Sequence, residues 1–267
     1  MQRAATALVF CLFPMLSLGC AAPVTTGDAP EALAQATQAD EAFPLGVDFA
    51  GCREVADVGL APTANIRPLV PAQFTLSGGT GPTTSFVVRT VHCDSISVDG
   101  NPGLPGDLLQ IGAVIVAPDG DGDINNYTFY YDTTHLGLAA RLAARGVPAR
   151  WVPALQESLV VNPDGSGQYR FVVPAPFEPR LTFAGPVDAP STTPIPFTAN
   201  WWSTSDEGTV KMASSFPQLY DNGDSVVLTL PEHSPLAEVL GTNVVSSWPT
   251  LALFDHFPTA HMDVTVR

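Results

Sequence analysis

Asn126-Tyr127-Thr128-Phe129-Tyr130-Tyr131-Asp132, then a run from Thr134 to Arg145, then Gly146-Val147-Pro148: the fold turns on this stretch. Aromatic residues crowd its first part, as pleated strands favour, and Tyr127 to Asp132 is expected to be a strand. The second run changes period. Leu138, Leu142 and the alanines beside them make one apolar stripe at helical spacing. Thr134 is expected to cap this helix. Arg141 and Arg145 sit near its carboxyl end, where the dipole favours cations, and Gly146 and Pro148 stop it.

Outward from this point, short β-type runs dominate. Phe86 to Cys93 alternates, with Val87, Arg89, Val91 and Cys93 on one face and Phe86, Val88, Thr90 and His92 on the other. Leu108 to Ala117 is apolar on nearly both faces, the pattern of a central strand covered on two sides. Leu155 to Val161, Tyr169 to Val173, Leu181 to Phe183, Phe197 to Ser203, Thr209 to Ser214, Ser225 to Leu230 and Met262 to Val266 continue the series. Turn residues such as Asn162-Pro163-Asp164-Gly165 separate them. A second, shorter helix is expected from Ser234-Pro235 to Gly241, a cap followed by proline at the first helical position. The expected fold class is mainly β (α+β), a barrel-like sheet with two short packed helices.

This order of elements resembles the acetoacetate decarboxylase-like superfamily, in patches from about residue 63 to the C-terminus. Ile66-Arg67-Pro68-Leu69-Val70-Pro71 is similar to that family's early arginine-then-Val-Pro segment. The stretch quoted first is similar to its strand, helix and Pro-containing turn. The resemblance implies an antiparallel barrel enclosing a pocket. It also implies a Schiff-base lysine just after the proline, with a second lysine beside it, and this chain reads Pro148-Ala149-Arg150 there. A pocket glutamate of the family falls near Gln110. Without an amine a carbonyl cannot be captured as an imine, so the family's decarboxylation is not expected.

The ends and the composition bear on location. Arg3, an apolar run from Ala4 to Leu18 and the small residues Gly19-Cys20-Ala21-Ala22 read as a signal peptide over residues 1–20. Leu16-Ser17-Leu18-Gly19-Cys20 resembles a bacterial lipobox, with Ser17 where an aliphatic residue is preferred. Lipidation of Cys20, giving membrane attachment, and ordinary cleavage after Ala21 or Ala22 both stand. Residues 21–44 have the composition of a flexible tether, and 45–267 the length of one barrel domain. The protein is therefore expected outside the cytoplasm, secreted or lipid-anchored at the cell envelope. Cys52 and Cys93 are expected to pair there, and closing such a loop would stabilise the fold by about 4 kcal/mol. A formal net charge of −15 repels phosphate backbones, so nucleic acid is not an expected partner.

Lys211, the chain's single lysine, could act as a relocated nucleophile if it pointed into the barrel. Otherwise it pairs with Asp206 or Glu207, or packs its stem on tryptophan. Arg89 among apolar neighbours could hold a ligand carboxylate or serve a buried structural pair. Trp201 and Trp202 point to opposite faces of a strand, so at most one lines a pocket. Asp119, Asp121, Asp123 and Asn125 alternate like a calcium loop, but Ile124 replaces the needed glycine, which favours a solvated acidic turn. His256 and His261 have no zinc spacing, and there is no Gly-rich phosphate loop, so no metal or other cofactor is expected.

Three readings remain. One is a small-molecule-binding barrel with Arg89, Gln110 and Trp201 or Trp202 around an apolar or carbonyl- or carboxylate-containing ligand. The second is a lyase or hydrolase acting on a small organic acid through Lys211. The third is a structural or interaction protein with a filled barrel.

Overall fold

A computed structural model describes residues 45–267. The expectations for the signal peptide, Cys20 and the tether lie outside the described residues. Seven long strands make the barrel: β1 (Leu45–Pro62), β2 (Thr83–Val98), β3 (Leu104–Val114), β4 (Ile124–Thr133), β9 (Ile195–Ser205), β10 (Gly208–Gly223) and β13 (Leu251–Val266). They pair in the order β3-β2-β1-β13-β10-β9-β4, and β3 pairs with β4 to close the ring. Closure removes the free edges that a sheet of this size would otherwise expose.

Between β4 and β9 the chain leaves the barrel. It forms helix α1 (Leu136–Ala143), the short β5 (Ala149–Trp151) beside β4, and then β6 (Gln156–Val161), β7 (Gly167–Val173) and β8 (Leu181–Val187). Those three strands join β11 (Val227–Thr229) and β12 (Val244–Val245) in a five-stranded antiparallel sheet, and helix α2 (Pro235–Leu240) lies between the last two. The barrel is not antiparallel throughout, because β4 runs parallel to both β9 and β5. A parallel pair needs a crossover, and the excursion through α1 and the small sheet supplies it.

Two apolar clusters follow from this layering. One, with Val55, Phe86, Ile111 and Trp202 from the barrel's outer face and Phe171, Phe183 and Leu228 from the small sheet, glues the two sheets together. The other lies inside the barrel and includes Val47, Val91, Leu108, Trp201, Met212 and Met262. Leu138, Leu142 and Val147 belong to this second cluster, so α1 plugs one end of the barrel.

Along β1 the inward set runs Leu45, Val47, Phe49 and then Cys52, so the side-chain parity changes at Gly51. Gly51 takes φ +61°, and a Cβ there would meet the Asp94 carboxylate at 2.4 Å. The same change occurs between Cys93 and Ile96 on β2, between Phe257 and Ala260 on β13, and between Phe216 and Leu219 on β10. Pro258 and Pro217 stand at two of these breaks, where no ladder donor is lost. A belt of irregularities thus crosses four neighbouring strands and separates the plugged half of the barrel from the other half. Cys52 and Cys93, direct partners across β1 and β2, form the expected disulfide beside this belt.

Other differences from expectation are local. His135, not Thr134, caps α1, its Nδ1 accepting from Leu138 N at 3.0 Å. The Thr134 hydroxyl instead accepts from Asp107 N, tying the helix start to β3. Helix α2 begins and ends where Ser234 and Gly241 indicated, with Gly241 in the left-handed conformation. β3 stops at Val114, and Ile115 makes one bridge to Leu76 before the acidic turn. A short helical turn over Thr63–Leu69 had no sequence counterpart. Arg67 there donates to its own loop, to the carbonyls of Pro71 and Phe74, each at 3.0 Å.

Candidate functional site

Above the belt the barrel is not filled. A cavity of about 100 Å³ remains, and Ile195 and Leu251, the first residues of β9 and β13, line it together with Leu219 of β10. Its walls are mostly apolar, with Val58, Val87, Ala199, Trp201, Phe197 and Phe216 facing inward. Gly112 on β3 makes room for the Trp201 indole, since a Cβ there would sit 3.0 Å from the ring and 2.2 Å from the Tyr127 carbonyl. A larger groove of about 510 Å³ lies outside the barrel between Tyr130 and Val239, but none of the sequence's candidate residues lines it.

Polar groups converge in the inner cavity. Arg89 donates through Nε to Glu54 Oε2 at 2.9 Å and through Nη2 to the same carboxylate. Its Nη1 donates to Gln110 Oε1, and its guanidinium lies 5.6 Å from the centre of the Phe216 ring. Arg89 therefore shares the inward face with Val87, Val91 and Cys93, and the carboxylate it holds is the protein's own. Gln110 is buried behind it. Asp255 pairs in register with Glu54 on one side and with Asp221 on the other, so three carboxyl groups form a row across β1, β13 and β10. Burial first, and then the Glu54 charge, raise Asp255 well above the usual carboxylate range.

Three polar atoms of the wall have no protein partner: Trp201 Nε1, Asn126 Oδ1 and Asp255 Oδ1. Their residues are only 1%, 2% and 2% exposed. Leaving a buried donor or acceptor unmatched costs about 1–3 kcal/mol each, so three around one cavity form a polar constellation that a ligand could complete.

Trp201 and Trp202 do point oppositely. Trp202 lies in the outer layer, its Nε1 donating to Asn125 Oδ1 at 2.9 Å. Lys211 shares that outer face: it pairs in register with Trp202, and its Nζ lies 5.3 Å from the indole centre. Its partners are Asp119 at 2.8 Å and Asp121 at 3.1 Å, not Asp206 or Glu207. The acidic turn that resembled a calcium loop thus serves as the counter-charge for Lys211 and, through Asp119, for Arg267. The inward position that the enzymatic reading required of Lys211 is occupied by its neighbours Val210 and Met212. Ala149 lies on β5 opposite Tyr131 and packs against the barrel's interior cluster with no ionisable group of its own.

No protein-family model and no curated protein sequence matches the chain. Solved structures do. The enduracididine biosynthesis enzyme MppR, with HEPES buffer bound, aligns over 84% of this chain and 86% of its own, with a TM-score of 0.53 and 12% identity. An acetoacetate decarboxylase-like enzyme from Sphingomonas wittichii RW1 aligns over 83% and 90%, with a TM-score of 0.50 and 11% identity. The fold resembles that of these acetoacetate decarboxylase-like structures. At such identities the likeness carries the fold alone, and the contents of this barrel have to speak for its function.

Sequence reasoning missed Glu54, Asn126 and Asp255. Glu54 lies on β1, which was not read as a strand. Asp255 had a signal: it interrupts Leu251, Leu253 and Phe257, which share its parity, and an acid in an apolar file marks an inward polar group.

Proposed function

We propose that this protein is an exported small-molecule-binding protein, whose barrel cavity takes a small apolar or carbonyl-containing ligand without imine chemistry. The observation that carries the reading is the inner cavity, with apolar walls and the converging Arg89, Glu54, Asn126, Trp201 and Asp255. Ligand sites have this composition, mostly apolar with a few placed polar groups. A cavity of about 150 Å³ holds benzene, so one of about 100 Å³ suits a core of roughly four non-hydrogen atoms. Ala149 where the superfamily resemblance implies a lysine, and Lys211 engaged by two aspartates, support binding over covalent catalysis. Export rests on the sequence of residues 1–20 and is supported by the Cys52–Cys93 disulfide.

Titration of the protein with small carbonyl compounds, followed by methyl and indole NMR shifts, tests the reading. Shifts should centre on Val87, Ala199 and Trp201. Ala199→Leu, which fills the cavity, should abolish them while leaving the rest of the spectrum folded. Shifts elsewhere, or shifts that survive in Ala199→Leu, would refute the site. A barrel filled by its own side chains would give none.

A further inference from the structure

The chemistry of the cavity wall narrows the ligand further, on the premise that the cavity binds one. We propose that it selects small uncharged carbonyl compounds that also carry a hydrogen-bond donor, such as carboxamides or α-hydroxy ketones. The carbonyl oxygen accepts from Trp201 Nε1 and from the carboxyl of Asp255, and the ligand's own donor reaches Asn126 Oδ1.

Trp201 Nε1 can only donate, and Asn126 Oδ1, as placed, can only accept. Both are unpartnered within residues that are nearly fully buried. Asp255 supplies the third unpartnered atom. The titratable groups around Asp255 are Glu54 and Asp57 from β1, Asp221 from β10, Arg89 from β2 and Asp224 just beyond β10. Burial first, and then the surrounding acids led by Glu54, against the single guanidinium of Arg89, favour the protonated carboxyl, which can donate.

An anionic ligand meets this row of carboxyls, and the one cation in the wall is already held by Glu54 and Gln110. A cationic ligand could satisfy Asn126 and an ionised Asp255, but it leaves the Trp201 donor unmatched. A neutral molecule with one acceptor and one donor completes all three atoms without moving a charge into the barrel.

Four probes of nearly equal size separate the classes: acetamide, acetone, acetate and ethylammonium, titrated by NMR between pH 7 and pH 10, where acetate is fully anionic. Acetamide should bind most tightly, acetone about tenfold more weakly for want of the donor, and the two ions weakest. Acetamide affinity should fall at the alkaline end as Asp255 loses its proton. Asp255→Asn, which keeps a donor but cannot titrate, should remove that pH dependence and cost no more than about tenfold in affinity. Trp201→Phe should weaken acetamide and acetone by similar factors of roughly ten.

Equal or tighter binding of acetate or ethylammonium would overturn the selectivity while leaving a binding cavity in place. So would loss of all acetamide binding in a folded Asp255→Asn protein. Silence from all four probes, with xenon also failing to shift the cavity methyls, would overturn both the selectivity and the binding reading.

Discussion

At the scale of single residues, the barrel's chemistry depends on how Arg89 is shared. Its guanidinium spans Glu54 and Gln110, so three strands are tied by one side chain inside an apolar enclosure. Taking away one partner of such a pair leaves a buried charge, which costs about 3–5 kcal/mol. Arg89→Met should therefore lower the unfolding free energy by an amount in that range. Adding Glu54→Leu to the same protein should restore a large part, because no orphaned carboxylate then remains. Chemical denaturation of the two variants measures the difference, and equal losses in single and double variant would show that the pair is not a buried unit. Sequence alone reached half of this: the parity of Phe86 to Cys93 put Arg89 among apolar neighbours. It could not supply Glu54, because partners on different strands are chosen by register, and register was not legible.

At the scale of elements, the legible strands were those whose alternation runs unbroken, such as β7 and the first part of β2. β1 is 18 residues long and was missed altogether. Its inward file changes parity at Gly51, and Glu54 and Asp57 sit at buried positions, so neither a period of two nor a polar face emerges. The first half of β13 and the last part of β10 were hidden by the same belt. Gly51 is the position where this can be tested. Its left-handed backbone and the 2.4 Å approach to Asp94 both oppose a side chain. Gly51→Ala should lower the melting temperature by several degrees, the equivalent of about 1–2 kcal/mol, whereas the open turn at Gly120 should tolerate alanine better. A thermal melt in which Gly51→Ala matched the parent would mean the belt does not need this conformation. Helices α1 and α2, by contrast, are legible to within a residue or two because caps and stops are local signals; the turn over Thr63–Leu69, with no side-chain cap, is not. The cap of α1 shifted from Thr134 to the adjacent His135.

At the scale of the whole molecule, buried acids set how stability responds to pH. Burial, and then the Asp224 charge, raise Asp57 to about 10, and burial raises Asp132 to about 6 despite its pairing with Arg150. In the unfolded chain both carboxyls lose their protons near 3.8. The folded state therefore holds protons that the unfolded chain has shed, and stability falls as pH climbs from 3.8 towards 10. Asp224 and Asp255, both raised by burial, act in the same direction. So do His92 and His261, raised by bonds to Asp107 and Asp48, whose contributions are full below 6.5 and fade as pH rises through their folded values. His256, lowered by burial, opposes them. The melting temperature should thus be higher at pH 5 than at pH 8.5, and Asp57→Asn should flatten the slope. A melting temperature that rises with pH over this range would contradict the burial of these acids. A net charge of −15 gave no hint of this behaviour, since it counts acids without saying which are inside.

On the proposed function, the barrel holds a ligand site bounded by Trp201, Asn126 and Asp255. A crystal of the protein soaked in acetamide tests it most directly. A planar four-atom density should appear inside the barrel, its oxygen within hydrogen-bonding distance of Trp201 Nε1 and its nitrogen facing Asn126 Oδ1. Side chains closed upon one another, with Trp201 and Asn126 satisfied by the protein and no density between them, would contradict it.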